Sequence, residues 1–504
     1  MQIKINIRLK DEGDFYFCIQ MKLVLFLTFL LFFAELFSQP CHESTGLKTD
    51  ILRDRLCPET MRTDLSELYE KLQKIHPDLY RYTSKYRVDA AYQRAFKRCN
   101  VSLSTYAFST VLMEFLSELK DSHTSVSPYD FMWNNLLKRR YLPFTLALVD
   151  NQFIITKSWE NKIPVGAELL SINGKSINSI YKEAKQFSPM EGRSTKAQTE
   201  IAVNLLPMVT NLLMNRAQHT FSWVESKDTL SATLSSPPLW SVWKELSGES
   251  QNNITLVRTN GQATLTIRSF SVNHAGTFRK QLDDIFSALI ANPPKQLIID
   301  LRDNTGGYIL LQEYLMSFFV PQGTKYKANY IYKRSEYDRF SQLSSFQRWK
   351  FVHSAKKAPI NSTLANEYRF YKSPLGSVDT VLNAPTLKNN KNLYFSGKCA
   401  LLVNGMTMSA AANFTAWFKS TKRGLVFGSQ VSGTNGGTFA NPTEFFLEHS
   451  GVSISISTMK VDLIPREKQT IEAILPDVWI IPEKTNRKQL DDFPIQFIMN
   501  YKTE

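Results

Sequence analysis

An α/β fold with a mostly parallel sheet covered by helices is predicted by three features of this 504-residue chain. Strand-like and helix-like segments alternate from Gln262 to Gly428. The segments QLIID (296–300) and CALLV (399–403) are apolar almost throughout, as strands buried on both faces are. Each runs straight into a turn that opens a helix, the order that βαβ units require.

The elements follow in chain order. Residues 1–20 fit no targeting pattern and read as an upstream extension from a misplaced start, whereas 21–38 begin with MKLVLFLTFLLFFA, the charged start and apolar centre of a signal peptide. Export, to the periplasm, cell envelope or medium, is the expected fate. The apolar run is short for a bilayer span and ends at Glu35, and Cys41 lacks the small preceding residue of a lipid-anchoring site. Membrane contact is therefore expected only through an uncleaved signal or a lipid anchor. Residues 39–135 read as a helical domain, with Leu65, Leu68, Tyr69 and Leu72 on one face, a break at His76-Pro77, and a second run through Phe108, Leu112, Phe115 and Leu119. Residues 136–240 carry short alternating runs (144–148, 152–156, 168–172, 219–223) with a helical insert through Ala202, Leu205 and Leu206, the content of a β module. The core spans 255–485. It opens with a strand at 263–270 and a helix marked by Phe278, Leu282, Ile285, Phe286 and Leu289. Residues 325–391, rich in Lys, Ser, Tyr and Asn, read as an insertion, either a flap or a surface excursion, and 486–504 as a tail.

Composition is that of a globular protein. The net charge of +14 comes from basic residues interspersed with acidic ones, without a Lys/Arg block, so the surface favours acidic partners or membrane headgroups and nucleic acid is not expected. Of five cysteines, Cys57 is the expected partner of Cys41 or Cys99, with Cys399 free in its strand. No metal-ligand spacing, Walker loop or dinucleotide fingerprint occurs, so neither a metal nor another cofactor is expected.

Chemistry concentrates at two strand-to-helix turns. Ser409 opens the helix after CALLV and the turn NGMTM (404–408), where it can be a nucleophile or a capping residue, since serine hydroxyls accept from first-turn amides. LRDNTGGY (301–308) supplies Gly306 and Gly307, whose backbone can approach a ligand closely. The amide of Gly306 or Gly307, with that of Ala410 at the positive end of its helix, can stabilise the oxyanion formed when Ser409 attacks a carbonyl.

LIIDLRDNTGG followed by LLVNGMTMSAAANF resembles the C-terminal processing and tricorn-core serine proteases. PVGAELLSING (164–174) resembles the second half of a PDZ domain, and ILPDV (474–478) the segment that closes the protease core. The resemblance implies a crotonase/ClpP-like core, a PDZ-like β module at 136–240, and a serine endopeptidase acting on polypeptides. The lysine that one branch places about 25 residues beyond the nucleophile is absent, since that position is Thr434, and Lys419 and Lys422 lie at the far end of the Ser409 helix. The tricorn-like branch uses a histidine before the PDZ domain, a position that LKDSHTSV (119–126) matches; His123 is then the base, Ser122 its helper and Ser409 the nucleophile. In that branch the orienting acid precedes the Pro-Asp pair, at Thr470 here; Glu472 is the expected acid on strand parity, and Glu467 its competitor. The retinoid-binding relatives of these proteases leave a second reading, a binding protein for a peptide or hydrophobic ligand on the same scaffold. Oligomeric state is not legible.

Overall fold

The structure is a computed structural model; it describes residues 55–126, 140–159, 162–214, 216–238, 241–242, 253–326, 328–338, 340–359, 363–383, 387–463, 470–480 and 492–501. The signal-peptide, upstream-extension and Cys41 expectations, Glu467 and residues 486–491 and 502–504 of the tail lie outside these residues. Among the described residues no helix is long and apolar enough to cross a membrane.

The N-terminal part is helical. After β1 (Arg55–Leu56) come α1 (Pro58–Ile75), α2 (Lys85–Arg98), β2 (Leu103–Ser104) and α3 (Thr105–Ser117). Pro58 starts α1, where its missing N–H costs nothing, and Ser84 and Ser104 cap α2 and α3 by accepting from Arg87 N and Ala107 N. Cys99 is a buried free thiol, which corrects its expected pairing with Cys57, and Cys57 Sγ lies 2.9 Å from Thr60 Oγ1.

The chain turns at 120–124 into β3 (Ser125–Val126) and then builds a sheet from β4 (Phe144–Val149), β5 (Gln152–Ser158), β6 (Glu168–Ile172), β7 (Lys175–Ser176), β8 (Gln218–Glu225) and β9 (Asp228–Ser235), in the order β4-β5-β6-β8-β9 with β7 on β6. Helices α4 (Ile177–Gln186) and α5 (Thr195–Leu213) fall between β7 and β8. One apolar cluster runs without a break from Leu65 and Phe115 on the helices to Phe144, Ile172 and Phe221 on this sheet.

The core sheet has the order β10-β11-β12-β15-β16-β19: Ile254–Thr259, Gln262–Ile267, Leu297–Asp300, Cys399–Val403, Leu425–Gly428 and Val478–Trp479. Only the β10–β11 pair is antiparallel. The α/β class read from the sequence is thus the architecture observed, with β12 and β15 buried throughout because helices cover both faces. Between β11 and β12 lies α6 (Ala275–Ala291), and β12 is followed by α7 (Ile309–Met316).

Residues 328–383 do more than leave the surface. Their strands β13 (Ala328–Lys333) and β14 (Val378–Asn383) join β17 (Phe439–Phe446) and β18 (Ser453–Asp462) in the order β14-β13-β18-β17, with helices α8 (Ser345–Lys356) and α9 (Thr363–Lys372) between them. Helix α10 (Ser409–Ser420) follows β15, and α11 (Phe493–Asn500) packs its Ile498 beneath β15 and β16. Strand β18 is buried at all ten positions and pairs with β3 through Ile454–Val126 and Ser455–Ser125, which draws the N-terminal part onto the core beside the Ser409 turn.

Candidate active site

The two strand-to-helix turns are stitched together. Asn404 Oδ1 accepts from Asp303 N (3.0 Å) and Met406 N (3.1 Å), Asn404 Nδ2 donates to Asp303 Oδ1 (2.8 Å), and Met408 N donates to Asn304 O (3.0 Å). Buried Thr407 donates its hydroxyl to Leu301 O at 2.9 Å. This frame holds Ser409 at a φ of 50°, a left-handed conformation that costs a non-glycine residue on the order of 1–3 kcal/mol. The capping reading of Ser409 does not hold, because the N-cap is Met408 and Ser409 is the first helical residue. Its hydroxyl is turned instead to His123, whose Nε2 lies 3.2 Å from Ser409 Oγ.

The backbone of His123 is fixed at three points. Its N–H donates to Asp121 Oδ1 (2.9 Å), its carbonyl accepts from Ser455 Oγ (3.0 Å), and β3, which follows, is paired to β18. Behind the ring, Ser122 Oγ lies 3.2 Å from His123 Nδ1 and donates to Glu191 Oε2 at 2.7 Å. Glu191 is fully buried and collects three more donors: Ser122 N (3.0 Å), Tyr82 OH (2.9 Å) and Phe439 N (3.3 Å). A chain of contacts thus runs from Ser409 through His123 and Ser122 to Glu191.

Glu472 is not in that chain, which corrects the expectation placed on it. It is 59% exposed and ion-paired to Arg193 Nη1 at 2.7 Å. The parity argument assumed a strand, whereas residues 470–477 form only an isolated bridge at Ala473. What that segment gives the site is backbone: Ile471 O accepts from Arg193 N (2.9 Å), and Gly192 lies so close that a Cβ there would stand 2.4 Å from Ile471 O. Glu191 was invisible in the sequence because it sits on the loop between α4 and α5, in no motif. A preceding Met and a following Gly192 at φ 57° were its only local marks.

The oxyanion donors also sort themselves. Gly306 N donates to Asn304 Oδ1 (2.9 Å), so of the two glycine amides left open as oxyanion donors, that of Gly306 is already engaged. Gly306 instead gives space, since a Cβ there would stand 2.7 Å from Ser409 Cβ and 2.9 Å from Ala410 N. The Ala410 amide belongs to the first turn of α10, just ahead of Ala411 N and Ala412 N, which donate to the carbonyl of the N-cap Met408. Gly307, at φ 133°, is pressed onto Phe270, where a Cβ would meet backbone at 2.2 Å.

A buried histidine, His76, lies behind the half-buried His123. Asp121 Oδ2 accepts from Thr124 Oγ1 (2.5 Å) and Ser457 Oγ (2.6 Å) and lies 3.1 Å from His76 Nε2. Since His76 Nδ1 accepts from Asp78 N, its Nε2 is the nitrogen that donates to Asp121. Burial works to raise the Asp121 pKa, but His76, His123 and Ser457 together hold it below the ordinary value. Burial, and then the charge of Asp121, pushes Glu191 up to about 8. Burial lowers His123, with Asp121 opposing, which suits an imidazole that is to be neutral before reaction. Asp121, His123 and Glu191 bring possible metal ligands within 4.8 Å of one another, yet each carboxylate oxygen already accepts protein donors, and the cluster is wired as a proton network.

Comparison with known proteins gives two findings. The family model for peptidase family S41 matches residues 262–480. Among solved structures, mature CPAF complexed with lactacystin aligns with a TM-score of 0.61 at 15% identity, over 87% of this chain and 97% of that one. A CPAF serine-to-alanine mutant gives 0.62 at 14%, over 89% and 99%. At such identity the likeness is one of fold. No curated protein matches the sequence.

Proposed function

We propose that the chain is a serine-type peptidase acting on polypeptides, a reading supported by the match of residues 262–480 to peptidase family S41, and that Ser409, His123, Ser122 and Glu191 carry the reaction. Ser409 Oγ attacks the peptide carbonyl carbon while His123 Nε2 takes its proton. The imidazolium that forms donates from Nδ1 to Ser122, which donates in turn to Glu191. The amides of Ala410 and Gly307 receive the oxyanion. His123 then returns the proton to the leaving amine, the peptide bond breaks, and water hydrolyses the acyl-enzyme by the same steps in reverse order. The 3.2 Å approach of His123 Nε2 to Ser409 Oγ is the observation that supports this reading most strongly, since the two residues are far apart in sequence and meet at a strained serine.

The antiparallel sheet of residues 144–235 is a PDZ-like module in this reading, holding an extended segment of substrate by strand addition. The leader at 21–38 directs the protein out of the cytoplasm. The test is hydrolysis of an unfolded polypeptide by Ser409→Ala and His123→Ala. Both should lose activity by about a thousandfold or more with the circular dichroism spectrum unchanged. Full activity in Ser409→Ala would remove the assignment, and ligand binding without hydrolysis in the unaltered chain would favour the binding-protein reading.

A further inference from the structure

Helix α8 takes no part in the site, and its two faces differ. Inward, Phe351 packs on Phe340 (5.2 Å between ring centroids) and Tyr371 (5.7 Å), and Ala355 is buried. Outward, Phe346 is 70% and Trp349 61% exposed. Phe346 stacks on Trp349 at 6.1 Å, and Trp349 on His353 at 5.4 Å with 13° between planes, so the rings form one convex ridge along the helix. At 100° per residue, Lys350, Lys356 and Lys357 fall on the ridge's side. All three are exposed, and none has an ion-pair partner among the described residues. Arg348 is on the inner side, where it donates to Ser341 O and Leu343 O. No acidic residue occurs from 345 to 357.

Exposed stacked aromatic rings stand at a cost in water, and a ridge one helix wide leaves no groove for an apolar side chain of a protein partner. Trp and Phe flanked by lysines suit a surface that is apolar beneath and negatively charged on top. We propose that α8 docks on an anionic lipid bilayer, with Phe346 and Trp349 at the boundary between headgroups and acyl chains and Lys350, Lys356 and Lys357 against the lipid phosphates. The docking site is separate from the catalytic chemistry. It would place the peptidase at a membrane surface without a spanning helix.

Trp349 is the natural reporter. The chain has eight tryptophans and none precedes residue 133, so an apolar leader cannot mimic the signal. The full chain is mixed with phosphatidylcholine vesicles containing phosphatidylglycerol and brominated lipid, and the quenching lost on Trp349→Phe is taken as the Trp349 part. That part should be present with phosphatidylglycerol and weak in phosphatidylcholine alone. The Lys350→Glu/Lys356→Glu/Lys357→Glu chain should need about tenfold or more lipid to reach half of it. Hydrolysis of a soluble polypeptide, the check on folding, should be unchanged in every variant. Quenching that Trp349→Phe leaves intact, or that the charge reversal does not weaken, overturns the proposal. So does a ridge that serves self-association or an acidic polypeptide, seen in sedimentation velocity as a complex broken by Trp349→Ser while vesicles go unbound.

Discussion

Glu191 and Glu472 stand at opposite extremes of environment, and that contrast makes the acid testable. Glu191 is buried under four donors; Glu472 is a surface partner of Arg193. Assayed above pH 8, where Glu191 is ionised, Glu191→Gln should lower kcat by about a hundredfold to ten-thousandfold, by analogy with removal of a triad acid. Glu472→Gln should change kcat by no more than about twofold, because an exposed pair contributes at most about 1 kcal/mol. The pH profile follows from the same residues. Burial lowers His123 below its usual 6.5, so kcat/KM should begin its rise on the acid side of that value. Glu191 is raised from 4.5 to about 8, so its neutral form contributes stability that is complete below pH 4.5 and is lost as pH climbs through 8. Thermal unfolding followed from neutral to alkaline pH should show that loss, and Glu191→Gln should remove it. The contrast also shows what the sequence carries. Ser409, Ser122, His123 and the glycine pair lie in motifs whose spacing reflects local turns. Glu191 reaches Ser122 only by tertiary packing, through a glycine that lets its loop meet Ile471, and no local pattern encodes such a meeting.

Among the elements, the Ser409 turn depends on a helix outside the family-matched core. Glu200 of α5 accepts from Gly405 N at 2.6 Å and from Ser429 Oγ at 2.5 Å, joining the turn after β15 to the end of β16. Burial pushes Glu200 up to about 7. With its pKa raised from 4.5, the stability it contributes is full below pH 4.5 and declines as pH rises through 7. Glu200→Ala leaves the Gly405 amide unpaired and should cost about 1–3 kcal/mol in denaturant unfolding, with kcat falling through a looser Ser409. The strands and helices of the core were legible because their apolar runs and periods are long. The segment at 470–477 was misread because a two-residue step means the same face only inside a strand.

At the scale of the whole molecule, the site exists only where the N-terminal part meets the core. His123 and Glu191 come from one part, Ser409 and its amides from the other, and β18 is the seam between them. Asp64 of α1 clamps that seam from the far end. Fully buried, it accepts from His449 N (3.1 Å) and Ser450 N (2.7 Å) in the turn that leads into β18. Asp64→Ala would leave two backbone amides without their acceptor and should destabilise the chain by about 2–4 kcal/mol in denaturant unfolding.

Fluorophosphonate labelling tests the relay most directly, because it reads the reactivity of the serine without a substrate. The adduct should map to Ser409 by peptide mass spectrometry. Above pH 8, where Glu191 is ionised, its rate of formation should fall about a hundredfold or more in His123→Ala and in Glu191→Gln and stay at the wild-type value in Glu472→Gln. An adduct on another serine, or a rate that Glu472→Gln slows and Glu191→Gln does not, would contradict the account.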